Sequence, residues 1–301
     1  MSRSLKAHLL LLAVTFVWGS TFVLIKNALT DITPLLFNAV RMTLAAVVLG
    51  AIYWKNLRNM QREAFWSGAL VALMMYAGYE FQTSGLKLTT PSKSAFLTGL
   101  SVVLVPIALR LGWRRHINQW TVLGVVIAFA GLFFLTVPAG AGGAFALTGI
   151  NLGDVLTIGC AVSFAFQIVL VGQASERYGF EPIAFMQVAG AAVLMFATVP
   201  VAEHARVTWS PVVIWGILIT GLLGTAAAFT VQAWAQQFTP ATHTALIFLL
   251  EPVFAWGTSF VVLHERLGIR ASFGAGLILA GVVLSELMGS KDHPAEEIRV
   301  S

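Results

Sequence analysis

Gly124-Val-Val-Ile-Ala-Phe-Ala-Gly131 and, 150 positions later, Gly274-Ala-Gly-Leu-Ile-Leu-Ala-Gly281 are the stretches whose reading decides the fold of this chain. That offset pairs Gly124 with Gly274, Ala130 with Ala280 and Gly131 with Gly281, while an offset of 149 pairs Pro91 with Pro240, Leu97 with Leu246 and Leu100 with Leu249. The matches fall in order along two consecutive apolar segments, so the chain carries an internal repeat. Within each stretch the two glycines lie seven apart and share one helix face, where small residues let backbones approach closely. They read as packing positions. A phosphate-binding loop is excluded, because the chain has no Gly-Lys-Ser/Thr sequence and no Gly-rich strand-to-helix turn.

Outward from these stretches the chain is apolar nearly throughout. Of its 301 residues, 58% are hydrophobic and 10% charged, against about 25% charged in a soluble domain. The apolar residues cluster into runs near the length a helix needs to cross the hydrocarbon of a bilayer. The reading is an all-α membrane protein of ten transmembrane helices at 5–26, 33–54, 64–87, 91–111, 118–137, 152–174, 181–202, 210–235, 241–263 and 270–289. The uncharged Gly/Ala stretch from Pro138 to Ile150 falls halfway along. It divides the chain into a first five-helix repeat (1–137), a linker (138–151), a second five-helix repeat (152–289) and a tail (290–301). Five is odd, so the second repeat is inverted relative to the first. Inverted repeats recur in secondary transporters, with the solute site near the midplane where the halves meet.

The formal charge of +5 does not mark a nucleic-acid-binding face, because the basic residues sit in short loops between apolar runs. With the N-terminus inside, eleven Lys and Arg fall in cytoplasmic segments and six in the opposite ones, with Arg41 inside a span. Both termini are therefore expected to be cytoplasmic, in a bacterial inner membrane. The bias resides in the first half, at eight against three; the second half alone is three against three. Arg3, Lys6 and the apolar run to Ile25 read as a retained first span rather than a cleaved signal peptide. The single cysteine, Cys160, allows no intrachain disulfide.

Short motifs in consistent order carry a family resemblance. They are Trp18-Gly19-Ser20-Thr21-Phe22 with Pro34 and Arg41, then Gly153-Asp154 with Ala161-Val162-Ser163-Phe164-Ala165, then Thr225 to Phe229, Gln232, Gln236, Ala245-Leu246, Glu251-Pro252, Glu265-Arg266-Leu267 and Gly274 to Gly281. Together they resemble the EamA-type transporters of the drug/metabolite transporter superfamily over essentially the whole chain. The resemblance implies a five-plus-five inverted-repeat carrier that exports amino acids or related amphiphilic metabolites by alternating access. Where the second half has Glu251-Pro252 and Glu265, the first has Val102-Val103 and His116. The Glu-Pro feature is thus not symmetrical.

A charge in hydrocarbon is costly and needs a reason to be there. Arg41 and Glu80 lie at similar depths, so they either form a structural ion pair or place Arg41 beside a cavity to meet an anionic group. Glu251 sits near the midplane of helix 9. Pro252 beside it removes a backbone donor and bends the helix, and Pro106 does the same in helix 4. A carboxyl at a broken helix suits a proton or a cationic solute, or else fixes helix 9 to its neighbours. Gln232 and Gln236 share a face of helix 8, lining a polar pocket or bonding between helices. Trp18 and Tyr79, with Tyr76, offer an aromatic wall, while Lys93 and His243 read as interfacial.

Six histidines without paired ligand spacing imply no metal site, and no cofactor is implied. The expected partners are a small-molecule solute, the lipid bilayer and protons as a coupling ion. A membrane-embedded lipid-modifying enzyme is the alternative, but no nucleophile, base and metal constellation is visible. A channel would need a filter segment or ring of like charges.

Overall fold

The computed structural model describes the backbone of residues 2–86, 88–89, 91–137, 151–263 and 268–289. The linker at 138–150, the Glu265-Arg266-Leu267 motif and the tail at 290–301 lie outside the described residues, as do the side chains of Phe22, Lys26 and Lys93.

The two glycine stretches meet. Helix α6 (Gln119–Thr136) and helix α13 (Ile269–Gly289) form the most extensive helix pair in the molecule. They run antiparallel: a Cβ on Gly124 would stand 2.6 Å from the Gly281 carbonyl oxygen, and one on Gly131 would stand 2.6 Å from that of Gly274. The reciprocal contacts are equally tight, so all four positions admit only hydrogen at Cα. Backbones this close maximise dispersion contact where lipid supplies no hydrophobic drive between helices.

The other elements are α1 (Arg3–Ala28), α2 (Pro34–Arg58), α3 (Arg62–Leu86), α4 (Pro91–Thr98), α5 (Ser101–Gly112), α7 (Leu152–Tyr178), α8 (Phe180–Ala202), α9 (Pro211–Gly221), a π-helical turn (Leu222–Ala227), α10 (Ala228–Ala235), α11 (Ala241–Phe248) and α12 (Glu251–Leu263). Their starts are legible locally. Pro34 and Pro211 open α2 and α9, where a proline's missing N–H costs nothing. Asn151 and Asp154 form a reciprocal capping box on α7. Gly179, at φ +86°, makes the turn from α7 into α8. Among the described residues there is no strand, only an isolated bridge between Ile32 and Val207.

Packing follows the repeat. α3 lies on α7, and α1 lies on α9 and α10; α4 and α5 lie on α7, and α1 lies on α12; α2 lies on α8. These contacts between the halves therefore come in matched pairs, with α2 on α8 matching itself. Discontinuities are repeated too. The helix of residues 91–112 breaks at Gly99–Leu100, and that of residues 241–263 breaks at Leu249–Leu250. Pro106 sits inside a continuous α5, so the interruption of that segment falls at Gly99–Leu100 rather than at the proline. The segment of Pro252 is interrupted at Leu249–Leu250, within the turn before the proline, and Pro252 itself occupies the first turn of α12.

The connections sort onto two faces. On one, the Thr33 amide donates to the Arg206 carbonyl (3.0 Å), the Thr208 amide donates to Asp31 (2.7 Å), and the Arg270 side chain donates to Val137 (3.1 Å). There the Glu203 carboxylate accepts the Leu35 and Leu36 amides at 3.2 Å each, an anion on a helix N-terminus. On the other face Arg3 lies over Phe238 and Lys6 over Trp234. A cleft of about 280 Å³ opens there between the end of α2 and the start of α8, lined by Asn59, Gln61, Tyr178 and Glu181.

The ten spans expected become eight stretches among the described residues that are long and apolar enough to cross a membrane: Arg3–Thr21, Pro34–Arg58, Ser94–Gly112, Gln119–Thr136, Leu152–Tyr178, Phe180–Ala202, Pro211–Ala235 and Ile269–Met288. The segments expected at 64–87 and 241–263 are helical but not among the eight. Tyr76, Tyr79, Glu80 and Gln82 lower the apolarity of the first. In the second, the side chains of Ser259, Val262 and Leu263 lie outside the described residues.

The Gly281→Ala variant, whose Cβ would press on the Gly124 oxygen, is expected to lose about 1–3 kcal/mol of stability. Gly276→Ala, on the open side of the same helix with nothing within 4 Å, is expected to lose none. Thermal unfolding in detergent compares the two.

Candidate functional site

Four of the residues singled out from sequence converge where α1, α2, α3 and the α11–α12 break approach one another. Gly19 explains part of the convergence: a Cβ there would stand 2.7 Å from the Ala255 nitrogen and 2.8 Å from the Glu251 oxygen, so α1 rests directly on the start of α12. Beside it, Trp18 donates its indole N–H to the Gly224 carbonyl at 2.7 Å. Gly224 lies in the π-helical turn, whose wider winding displaces carbonyls from the ordinary ladder. The Trp18 ring also meets Phe229 at 5.6 Å and Phe248 at 4.9 Å. One side chain of the first half thus links the π turn, α10 and α11 of the second.

Arg41 is buried, at 7% exposure. Its Nε donates to the Asn38 side-chain oxygen at 3.1 Å. Its guanidinium lies over the rings of Phe37 (5.9 Å) and Tyr79 (5.1 Å) and is hydrogen-bonded to the Tyr79 hydroxyl. The partners of Arg41 are therefore an amide, a hydroxyl and two aromatic faces, instead of the Glu80 carboxylate suggested by their common depth. Glu80 is itself buried and partnered. Arg41 lies over the Tyr79 ring, and Glu251 and Cys160 lie within electrostatic reach of the Tyr79 hydroxyl. Tyr79 and Trp18 pack on the same apolar cluster, which includes Met42, Met75 and Phe229.

The remaining pair, Gln232 and Gln236, is placed elsewhere. Gln167 donates to Gln187 at 2.8 Å, Gln167 and Gln232 exchange bonds at 3.3 and 3.4 Å, Gln232 donates to Gln236 at 3.1 Å, and Gln236 donates to the Ile168 carbonyl at 2.8 Å. This ladder joins α7, α8 and α10, and its four glutamines are all at most 3% exposed. Of the two readings open from sequence, these contacts are the interhelical one. Gln167 and Gln187 were missed. Each is a polar residue inside an apolar run, the same signal that marked Gln232.

Cys160 places its sulfur 3.9 Å from the Thr98 hydroxyl. Asp154 works as a cap and accepts from the Thr89 hydroxyl at 2.7 Å, joining the α3–α4 connection to the start of α7. Chemically, the central cluster offers a cation, a carboxyl group and aromatic walls inside the helix bundle. No nucleophile–base pair accompanies them among the described residues of this cluster.

A model described as the EamA-like transporter family matches residues 5–137 and again residues 151–287. The chain is 33% identical over 285 residues to an uncharacterized transporter of Archaeoglobus fulgidus, spanning 95% of this chain and 87% of that protein. It is 26% identical over 306 residues to the uncharacterized transporter YoaV of Bacillus subtilis, spanning 95% and 98% respectively. A solved crystal structure superimposes with a TM-score of 0.78 at 18% identity, covering 95% of this chain and 98% of that one. That likeness concerns the fold.

Replacing Trp18 with Phe keeps an aromatic ring and deletes the donor to the Gly224 carbonyl. The expected cost is about 1–3 kcal/mol, read as a lowered midpoint of thermal unfolding.

Proposed function

Because this chain belongs to the EamA-like transporter family, we propose that it is a secondary carrier exporting small amphiphilic metabolites, amino acids or close relatives, by alternating access. It is a membrane transporter; the solute class, direction and energy source are our reading. The observation that carries it is the Arg41–Tyr79–Glu251 arrangement, set against Trp18 where the two matched repeats meet. The guanidinium over the Tyr79 ring suits a solute carboxylate, as charge-assisted hydrogen bonds are the stronger kind. The Glu251 carboxyl group, within electrostatic reach of the same tyrosine, suits an ammonium. The aromatic faces of Trp18 and Tyr79 suit an apolar side chain between them.

The doubled discontinuities at Gly99–Leu100 and Leu249–Leu250 support the same reading. Broken helices put backbone dipoles near the solute in inverted-repeat carriers. On this reading all ten helical segments span the bilayer, with repeats at 1–137 and 152–289. Both termini are cytoplasmic in a bacterial inner membrane, since the face bearing Arg3, Lys6, Arg58 and Arg177 is the more basic. Glu251 is the site at which a proton couples. A lipid-modifying enzyme is the weaker alternative, lacking a catalytic constellation.

Reconstituted protein is expected to exchange labelled for unlabelled amino acid across a vesicle membrane. Arg41→Gln should weaken apparent affinity about tenfold, the equivalent of one charge-assisted bond. Unaltered affinity for every solute carried would remove Arg41 from the site. Glu251→Gln should keep exchange but lose uptake driven by an imposed pH gradient. Persisting pH-driven uptake would reassign the proton site.

A further inference from the structure

Away from the central cluster, three side chains distant in sequence come together at the face that carries Arg3 and Lys6. His8 lies in the early turns of α1, His243 in the first turn of α11, and Glu286 in the last turn of α13. The His8 Nδ1 stands 3.2 Å from one Glu286 oxygen, and the His243 Nδ1 stands 3.1 Å from the other. The imidazole rings are 6.1 Å apart and tilted 34°. One ligand atom from each of the three residues lies within 4.8 Å of the others.

Hydrogen bonding alone does not account for this approach. His243 is 5% exposed. Its Nδ1 is buried without a properly aligned hydrogen bond despite the 3.1 Å separation, and the His8 Nε2 is buried without a partner. Two imidazole nitrogens and a carboxylate are a donor set for zinc and its neighbours. With metal–ligand bonds of about 2.0–2.1 Å, tetrahedral ligands stand roughly 3.3 Å apart. The two short separations already match that edge. The side chains of His8 and Glu286 are each 22% exposed, which gives an ion a path in.

We propose that His8, His243 and Glu286 form a site for one divalent transition-metal ion of the zinc class, whose binding ties α1 to α11 and α13. The fourth position belongs to water. Sequence spacing could not reveal the set, because its members come from three helices of two repeats.

The test uses the full chain, purified in detergent with its affinity tag removed, and Zn²⁺ as the probe. Titration calorimetry should find one ion per chain, and the thermal midpoint should rise with Zn²⁺, as it does for any ligand that binds only the folded state. Co²⁺ in its place should give the visible absorption of a four-coordinate ion. His8→Gln and Glu286→Gln should each weaken binding at least about tenfold and abolish the rise. His116→Gln and His204→Gln, at exposed positions elsewhere, should leave both unchanged. His8→Gln, at a half-exposed position, serves as the reference where Glu286→Gln fails to fold. Folded wild-type protein that binds no Zn²⁺ would overturn the site. So would binding and stabilisation that survive in a folded His8→Gln protein.

Discussion

The backbone-to-backbone seam of α6 and α13 is the constraint on which the rest of the architecture depends. Four glycines, two from each repeat, let these helices touch at carbonyl distance. Inside a bilayer the gain is dispersion and the geometric precision of close contact, since apolar side chains meet lipid as readily as they meet each other. The antiparallel crossing sets Gly124 against Gly281 and Gly131 against Gly274, so the first glycine of each stretch meets the second glycine of the other. The seam therefore sets the inverted relation of the two halves, and the doubled contacts of α3 on α7 and of α1 on α9 and α10 follow from it.

Polar groups inside this frame are handled in two ways. The glutamine ladder is bonded largely within itself: Gln167, Gln187, Gln232 and Gln236 bond to one another and to the Ile168 carbonyl, with the Gln187 Nε2 left over. These bonds tie α7, α8 and α10 together. Around Trp18 the arrangement is more open. Arg41 is held by an amide and by aromatic faces, and Glu251 heads a helix after a break.

Irregular backbone is concentrated at that same site. The break at Leu249–Leu250 and the π turn at Leu222–Ala227 place carbonyls and helix starts against α1. Backbone that departs from helix at membrane depth is tolerated only where protein or a cavity satisfies it. Here Trp18 supplies the partner for Gly224, which makes the first half structurally necessary to the second half's irregular helix.

How much of this was legible in advance depends on the range of the interaction concerned. Helix positions, the repeat and the glycine seam were readable from sequence because each is a periodic pattern within one or two segments. Glu251-Pro252 was readable as an interruption, and the break lies at Leu249–Leu250 just before it. Pro106 did not mark the matching interruption, which falls at Gly99–Leu100 with Pro106 inside α5. Depth along the helices suggested that Arg41 meets Glu80, yet depth fixes only one coordinate. Rotation about the helix axis turned Arg41 toward Tyr79 of α3, and Asn38, one turn back on the same helix, completes its contacts. The sequence by itself thus determined a bilayer-resident, doubled helical chain belonging to a family of transporters. Only the tertiary structure decided that Trp18 caps a π turn, that the glutamines form a ladder and that His8, His243 and Glu286 meet. Those contacts join residues far apart in the chain, and their partners are selected by helix rotation and crossing geometry, which no local pattern encodes.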